Sequence, residues 1–171
     1  MLALTVLPAA AAGAATATAT LTAGSLAFVS APPNVSFTAT LNGLNQTVTA
    51  QQNLDVSDAT GSGAGWSLSA TSTTFTTGSV TLATNATTIA SAPTRACDSG
   101  STCTLATNSV SYPYSLPAAA SAPTATKMFN AAVNTGEGNE TVTVTWSLAL
   151  PATTQPGTYT STWTISLASG P

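Results

Sequence analysis

Residues able to act as acid, base, nucleophile or metal ligand are few in this chain. Asp55, Asp58, Asp98, Glu137 and Glu140 make up its 5 carboxylates, Arg95 and Lys127 its 2 cations, and Cys97 and Cys103 its 2 thiols, with no histidine. The missing imidazole excludes His-based triads, His metal sites and histidine acid–base catalysis. Glycoside hydrolysis needs two carboxyl groups opposed across the bond at ~5 to ~9.5 Å. Asp55 and Asp58 lie too close to a turn to form an obvious pair, Glu137 and Glu140 flank Gly138-Asn139, and nothing in the sequence joins the two pairs. Calcium would draw on Asp55 and Asp58, but the D-x-D-x-D-G spacing is missing. A serine nucleophile would need a lysine base, and Lys127 has no S-x-x-K context. Asp58 is better explained as a turn residue whose side chain caps the backbone ahead of Gly61. The expectation is therefore a non-enzyme, with no catalytic residue, no cofactor and no metal.

Cys97 and Cys103 stand in Ala96-Cys97-Asp98-Ser99-Gly100-Ser101-Thr102-Cys103. An even cysteine count in an exported chain reads as a disulfide, and C-x5-C matches no common metal-ligand spacing. Export is read from the N-terminus. Met1-Leu2-Ala3-Leu4-Thr5-Val6-Leu7-Pro8 and the alanine run to Ala15 resemble the end of a signal-peptide core entering a small-residue cleavage zone at Ala12-Gly13-Ala14, without a positively charged start. The apolar stretch is far shorter than the ~20 residues of a membrane span. Residues 1–14 are thus expected to be a signal-peptide remnant and residues 15–171 a single domain, secreted, with no membrane span after cleavage.

Within 171 residues the hydrophobic share is 43% and the charged share 4%, against ~25% charged in an ordinary globular chain. Two cations cannot form the basic footprint that a phosphate backbone or an anionic membrane surface requires, so nucleic-acid binding is excluded. The apolar content argues for a packed core rather than disorder. Hydroxyls and amides must then supply the solvent face.

Period-two alternation places those hydroxyls. In Val35-Ser36-Phe37-Thr38-Ala39-Thr40-Leu41-Asn42 the odd positions are apolar and the even ones polar, which predicts a strand with one buried face. Val48, Ala50, Leu54 and Val56 share a face, as do Val142, Val144, Trp146, Leu148 and Leu150, and again Tyr159, Trp163, Ile165 and Leu167. Turn clusters separate these runs, among them Ala31-Pro32-Pro33-Asn34, Gly61-Ser62-Gly63-Ala64-Gly65 and Asn134-Thr135-Gly136-Glu137-Gly138. Many short half-apolar strands bury their faces by packing two sheets together. The fold expected is an all-β antiparallel β-sandwich, Ig-like or jelly-roll-like, with little or no helix. Pro117 and Pro123 bracket an alanine run that reads as a loop or a single turn. Thr16 to Ser30 reads as a first strand that changes phase at Gly24, where a bulge or bend is expected.

The densest local signal is Asp55-Val56-Ser57-Asp58-Ala59-Thr60-Gly61-Ser62-Gly63-Ala64-Gly65-Trp66-Ser67-Leu68, a strand entering a glycine-rich turn and leaving behind a tryptophan. It resembles the first signature of the WxL-domain proteins of bacterial cell surfaces, an Asp-led, Gly-rich turn running into Trp-x-Leu. Pro156-Gly157-Thr158-Tyr159-Thr160 resembles the family's closing Gly-Thr-Tyr strand. Asp58, Gly61, Gly63, Gly65, Trp66, Leu68, Gly157, Tyr159 and Trp163 are the signature positions. The chain departs from the pattern where Trp163 stands two residues before Ile165-Ser166-Leu167, while a literal triplet, Trp146-Ser147-Leu148, falls on the preceding strand. The resemblance implies a secreted protein of the cell surface, attached non-covalently to the cell wall, with peptidoglycan or another wall polysaccharide as partner. An aromatic stacked on a sugar face would serve such binding. Tyr112 and Tyr114 are the candidates, because Pro113 argues for a loop or edge, and Trp66 is a third. A second functional reading is a structural subunit of an extracellular filament. Residues 15–30, alternating Ala and Thr without charge, would leave as an exchangeable N-terminal strand and add head-to-tail to an identical neighbour.

Overall fold

A computed structural model describes residues 13–171. The signal-peptide reading falls on residues 1–12, outside the described residues, and on Gly13 and Ala14, which are exposed. In chain order the strands are β1 (Leu26–Phe28), β2 (Gln46–Asp58), β3 (Trp66–Thr73), β4 (Thr76–Thr77), β5 (Val80–Thr81) and β6 (Thr87–Ile89), then β7 (Thr94–Cys97), β8 (Tyr114–Ser115), β9 (Ala118–Ala119), β10 (Thr126–Ala131), β11 (Gly138–Leu150) and β12 (Trp163–Ser169). No helix occurs among the described residues.

The strands form an all-β sandwich. One sheet runs β1-β2-β11-β6-β8, with β7 also on β11; the other runs β10-β3-β12, with β9 on β3; β4 and β5 form a small hairpin. All pairings are antiparallel except the short β3–β9 pair. The alternation explains why two sheets result. Leu54, Val56, Val142, Val144 and Trp146 face inward from the first sheet, and Trp66, Leu68, Met128 and Phe129 from the second; all are fully buried in one cluster. A second cluster of Leu82, Ala86, Leu148 and Leu150 closes the far end of β11.

Three expectations are corrected. Val35–Asn42 is not a strand: among the described residues, 30–45 make no backbone–backbone hydrogen bond. Val35 and Phe37 still pack against the core, but Ala39 and Leu41 are exposed, so the apolar parity is obeyed only in the first half of the run. However, Gln52 Nε2 donates to the Pro33 carbonyl at 2.7 Å and Gln46 Nε2 to that of Thr40 at 3.1 Å, so side chains occupy positions where a ladder would otherwise form. The first strand is only Leu26–Phe28, and Gly24 is a point of close approach rather than a bulge: its N–H donates to Ala59 O at 2.8 Å, and a Cβ there would lie 2.7 Å from Ala59 Cβ. The Pro117 segment, expected as a loop or turn, supplies β9 instead, because its backbone finds the free edge of β3 at Ser72 and Thr73.

Cys97 and Cys103 are bonded, with their Cα atoms 5.6 Å apart. The bridge holds the loop after β7 against the start of β11, where Thr104 N donates to Glu137 O at 2.9 Å. Closing so short a loop stabilises by about 2 kcal/mol in the chain-entropy model. Replacing both cysteines with serine is therefore expected to lower the unfolding free energy measured by urea titration by that amount while the far-ultraviolet spectrum stays that of a β protein. Complete loss of folding would show that the bridge holds more than its loop.

Candidate functional site

The glycine-rich turn is built by side chains reaching two residues ahead. Asp58 Oδ1 accepts from Thr60 N at 3.0 Å and from Thr60 Oγ1 at 2.6 Å, Ser62 N donates to Thr60 Oγ1 at 3.3 Å, and Ala64 N donates to Ser62 Oγ at 3.2 Å. Asp58 thus caps the turn as expected. Gly65, between these caps and β3, has φ +71°, and a Cβ there would run into the Ala131 carbonyl.

Trp66 then enters the core at 0% exposure. Its Nε1–H donates to Gly136 O at 2.8 Å and its ring lies 5.8 Å from that of Phe129. Asn134 N donates to Gly63 O at 2.8 Å, so the turns at 58–65 and 134–138 lock together over one end of the sandwich. The Trp-x-Leu signature is therefore a clamp between two turns.

All 5 carboxylates gather at this end, which the sequence alone did not show. The β2–β11 register sets Asp58 opposite Gly138 and Asp55 opposite Thr141, Cys97 lies opposite Glu140, and Thr104 bridges Glu137. Asp98 Oδ1 accepts from Thr141 Oγ1 at 2.8 Å. Burial raises the Asp55 carboxyl above its ordinary range, and a hydrogen bond and like charge from Asp98 raise it further. Glu140 is 0% exposed: Oε2 accepts from Ala106 N at 3.0 Å, while Oε1 is buried without a partner. Burial pushes its carboxyl up, opposed by the Ala106 N–H and the Arg95 charge, and reinforced by Asp98. A signal for this was present, since Glu140 is in phase with Val142, Val144 and Trp146. Among the described residues no group of three or more His, Cys, Asp or Glu could hold a metal ion.

The expected aromatic contacts do not face solvent. Trp66 is fully buried and Tyr114 is 8% exposed, so neither presents a ring face to a sugar. Tyr112 is half-buried, and its hydroxyl donates to Met128 O at 2.7 Å while accepting from Asn108 Nδ2 at 3.1 Å. Pro113 does put Tyr114 on an edge strand, β8, but the core draws both rings inward.

Partly open aromatic surface lies along β12 instead. Two adjoining clefts, of about 650 and 690 Å³, run between residues 32–41 and residues 154–165. Phe75 and Tyr159 line both clefts, Phe37 the first and Trp163 the second; no charged residue lines either. Phe37 and Phe75 each lie near Trp163, at 6.5 and 6.2 Å, and Trp163 in turn sits 4.8 Å from Trp146. Gly157 and Tyr159 of the closing signature line the first cleft, far from the Trp66 clamp.

The outward face of the first sheet is different again. Thr47, Thr49, Gln51 and Asn53 are exposed along β2 and pair across to Ala149, Ser147, Thr145 and Thr143 of β11. Thr143 Oγ1 donates to Asn53 Oδ1 at 3.0 Å. Adjacent strands stand ~4.8 Å apart and same-face residues ~7 Å apart, so this is a regular grid of neutral hydrogen-bonding groups.

A family model described as WxL domain, surface cell wall-binding, matches residues 13–171. No curated protein matches the chain, and no solved structure does.

Proposed function

The chain belongs to the WxL domain family of surface cell-wall-binding proteins, and on that footing we propose that it is a secreted, non-enzymatic module held non-covalently on peptidoglycan. The observation that carries this reading is the neutral grid on the outward face of β2 and β11. Thr47, Thr49, Gln51, Asn53, Thr143, Thr145 and Ser147 offer both donors and acceptors to a polymer rich in hydroxyl and amide groups. An attachment role also agrees with where the acid–base groups are. The carboxylates lie at the Trp66 end, with Asp58, Asp98 and Glu140 engaged in hydrogen bonds, and neither cleft is lined by one.

Neutral hydrogen bonds are screened little by salt, unlike ion pairs. The protein is expected to co-sediment with isolated peptidoglycan equally at low and at molar salt. Thr145→Glu combined with Ser147→Glu, both pointing away from the core, is expected to weaken this at least tenfold with little effect on thermal stability. Wild-type protein that stays in the supernatant overturns the proposal.

A further inference from the structure

Among the described residues the sandwich is open along β12. At the centre of each sheet the inward residues of β3 and β11, such as Trp66, Leu68, Val144 and Trp146, are fully buried. On β12 the inward residues Trp163, Ile165 and Leu167 are only half-buried, because β12 pairs with β3 on one side and, among the described residues, with no strand on the other. Facing it across the clefts is the segment 32–41, which makes no backbone–backbone hydrogen bond among the described residues, though its Pro33 and Thr40 carbonyls accept from the side chains of Gln52 and Gln46. A groove with half-covered aromatic rings on its floor and the outer edge of β12 along one wall has the shape left by a missing strand.

The same chain carries a strand without a place. Ala15-Thr16-Ala17-Thr18-Ala19-Thr20-Leu21-Thr22-Ala23 alternates without a break, every residue from 13 to 23 is exposed, and Leu21 is 93% exposed. Among the described residues it makes no backbone hydrogen bond before Gly24, which joins Ala59 at the end of β2. Residues 13–23 contain no turn or bend.

We infer that residues 14–23 of one copy fill the β12 groove of a second copy, adding an antiparallel strand to the outer edge of β12. Leu21 takes the apolar cleft lined by Phe37, Phe75, Leu82, Leu148 and Leu150, and the alanines lie along Trp163 and Ile165. The threonines face solvent. Donor and acceptor carry no charge, so neither the repulsion nor the lysine guards that normally protect a sheet edge oppose the pairing. Donor and groove are different surfaces, so the contact is head-to-tail and propagates as an open filament. This assembly does not depend on the wall-binding face of β2 and β11.

The full chain is expected to form ladders by size-exclusion chromatography and filaments by electron microscopy, and deletion of residues 14–23 to give a folded monomer. A synthetic peptide of residues 14–23 is expected to bind that monomer one to one and raise its melting temperature, and the same peptide carrying Leu21→Asp to bind at least tenfold more weakly. Filaments that persist in the deletion variant overturn the inference, as does a deletion monomer that ignores the peptide. A full-length monomer that the peptide does not stabilise, beside a deletion monomer that it does, shows the segment closing its own groove and equally overturns it. Co-sedimentation of the deletion variant with peptidoglycan is expected to be unchanged, so the two proposals fail separately.

Discussion

Trp66→Ala is expected to cost about 3–5 kcal/mol, the range for removing a fully buried large aromatic, and more than any surface change in this protein. The ring fills the space between β3 and Phe129, and its Nε1–H satisfies the Gly136 carbonyl at 2.8 Å. Truncation opens a cavity and leaves that carbonyl without its partner. Against a total stability of about 5–15 kcal/mol, this brings the chain close to unfolding at room temperature. Two further variants separate the contributions. Trp66→Phe keeps most of the packing and loses the hydrogen bond, for about 1–3 kcal/mol. Gly136→Ala leaves Trp66 in place but forces a side chain onto a residue at φ +75°, with its Cβ 2.5 Å from Trp66 Nε1. Urea titrations followed by tryptophan fluorescence read all three. If Trp66→Ala instead leaves the midpoint unchanged and abolishes wall binding, Trp66 is a ligand contact and the clamp is wrong.

The second large effect is a dependence of stability on pH. Glu140 in the folded protein holds its proton above its ordinary value of 4.5, chiefly because it is buried. The folded state therefore binds protons more tightly than the unfolded one, and the stability this contributes is fully present below 4.5 and is lost as pH rises through the folded value. Asp55, raised from 3.8 by burial and by Asp98, acts in the same direction. Urea midpoints are expected to be higher in mild acid than at neutral pH. Glu140→Gln should remove most of that difference: its amide oxygen can still accept from Ala106 N, and an uncharged amide nitrogen takes the place of the buried oxygen that has no partner. At neutral pH the variant is expected to exceed wild type by about 1–3 kcal/mol, because a neutral amide is buried at less cost than a carboxylate, and to match it in acid. A gap between the two that does not vary with pH would assign the effect to packing rather than to ionisation.

Both effects concern residues whose parity was readable and whose neighbours were not. Glu140 stands in step with Val142, Val144 and Trp146, so alternation alone turns it inward. Nothing in the sequence brings Ala106 and the loop from Cys97 over it; the β7–β11 pairing does. Tyr112 and Tyr114 illustrate the opposite error. Pro113 correctly signalled an edge, but an edge residue can still point its ring into the core, and hydrogen bonds to Met128 O and Thr126 hold these two there. Val35–Asn42 shows a third case. Its alternation was real and buries Val35 and Phe37, yet alternation describes side chains and says nothing about whether the backbone has found a neighbour.

The sequence by itself determined the all-β class, the inward face of β2, β11 and β12, the capped glycine turn ahead of Trp66, the pairing of two lone cysteines, and the near-absence of charge that makes hydroxyls the solvent face. These follow from local rules: a pleat repeats every two residues, and a left-handed turn favours glycine. Tertiary structure alone decided which strands are neighbours, that the carboxylates share one end, that Trp66 is a clamp, and that among the described residues β12 pairs on one side only. The physical reason is that hydrogen-bond pairing between strands depends on registers set by residues far apart in sequence. The local pattern specifies which face of a strand is buried and leaves open what buries it.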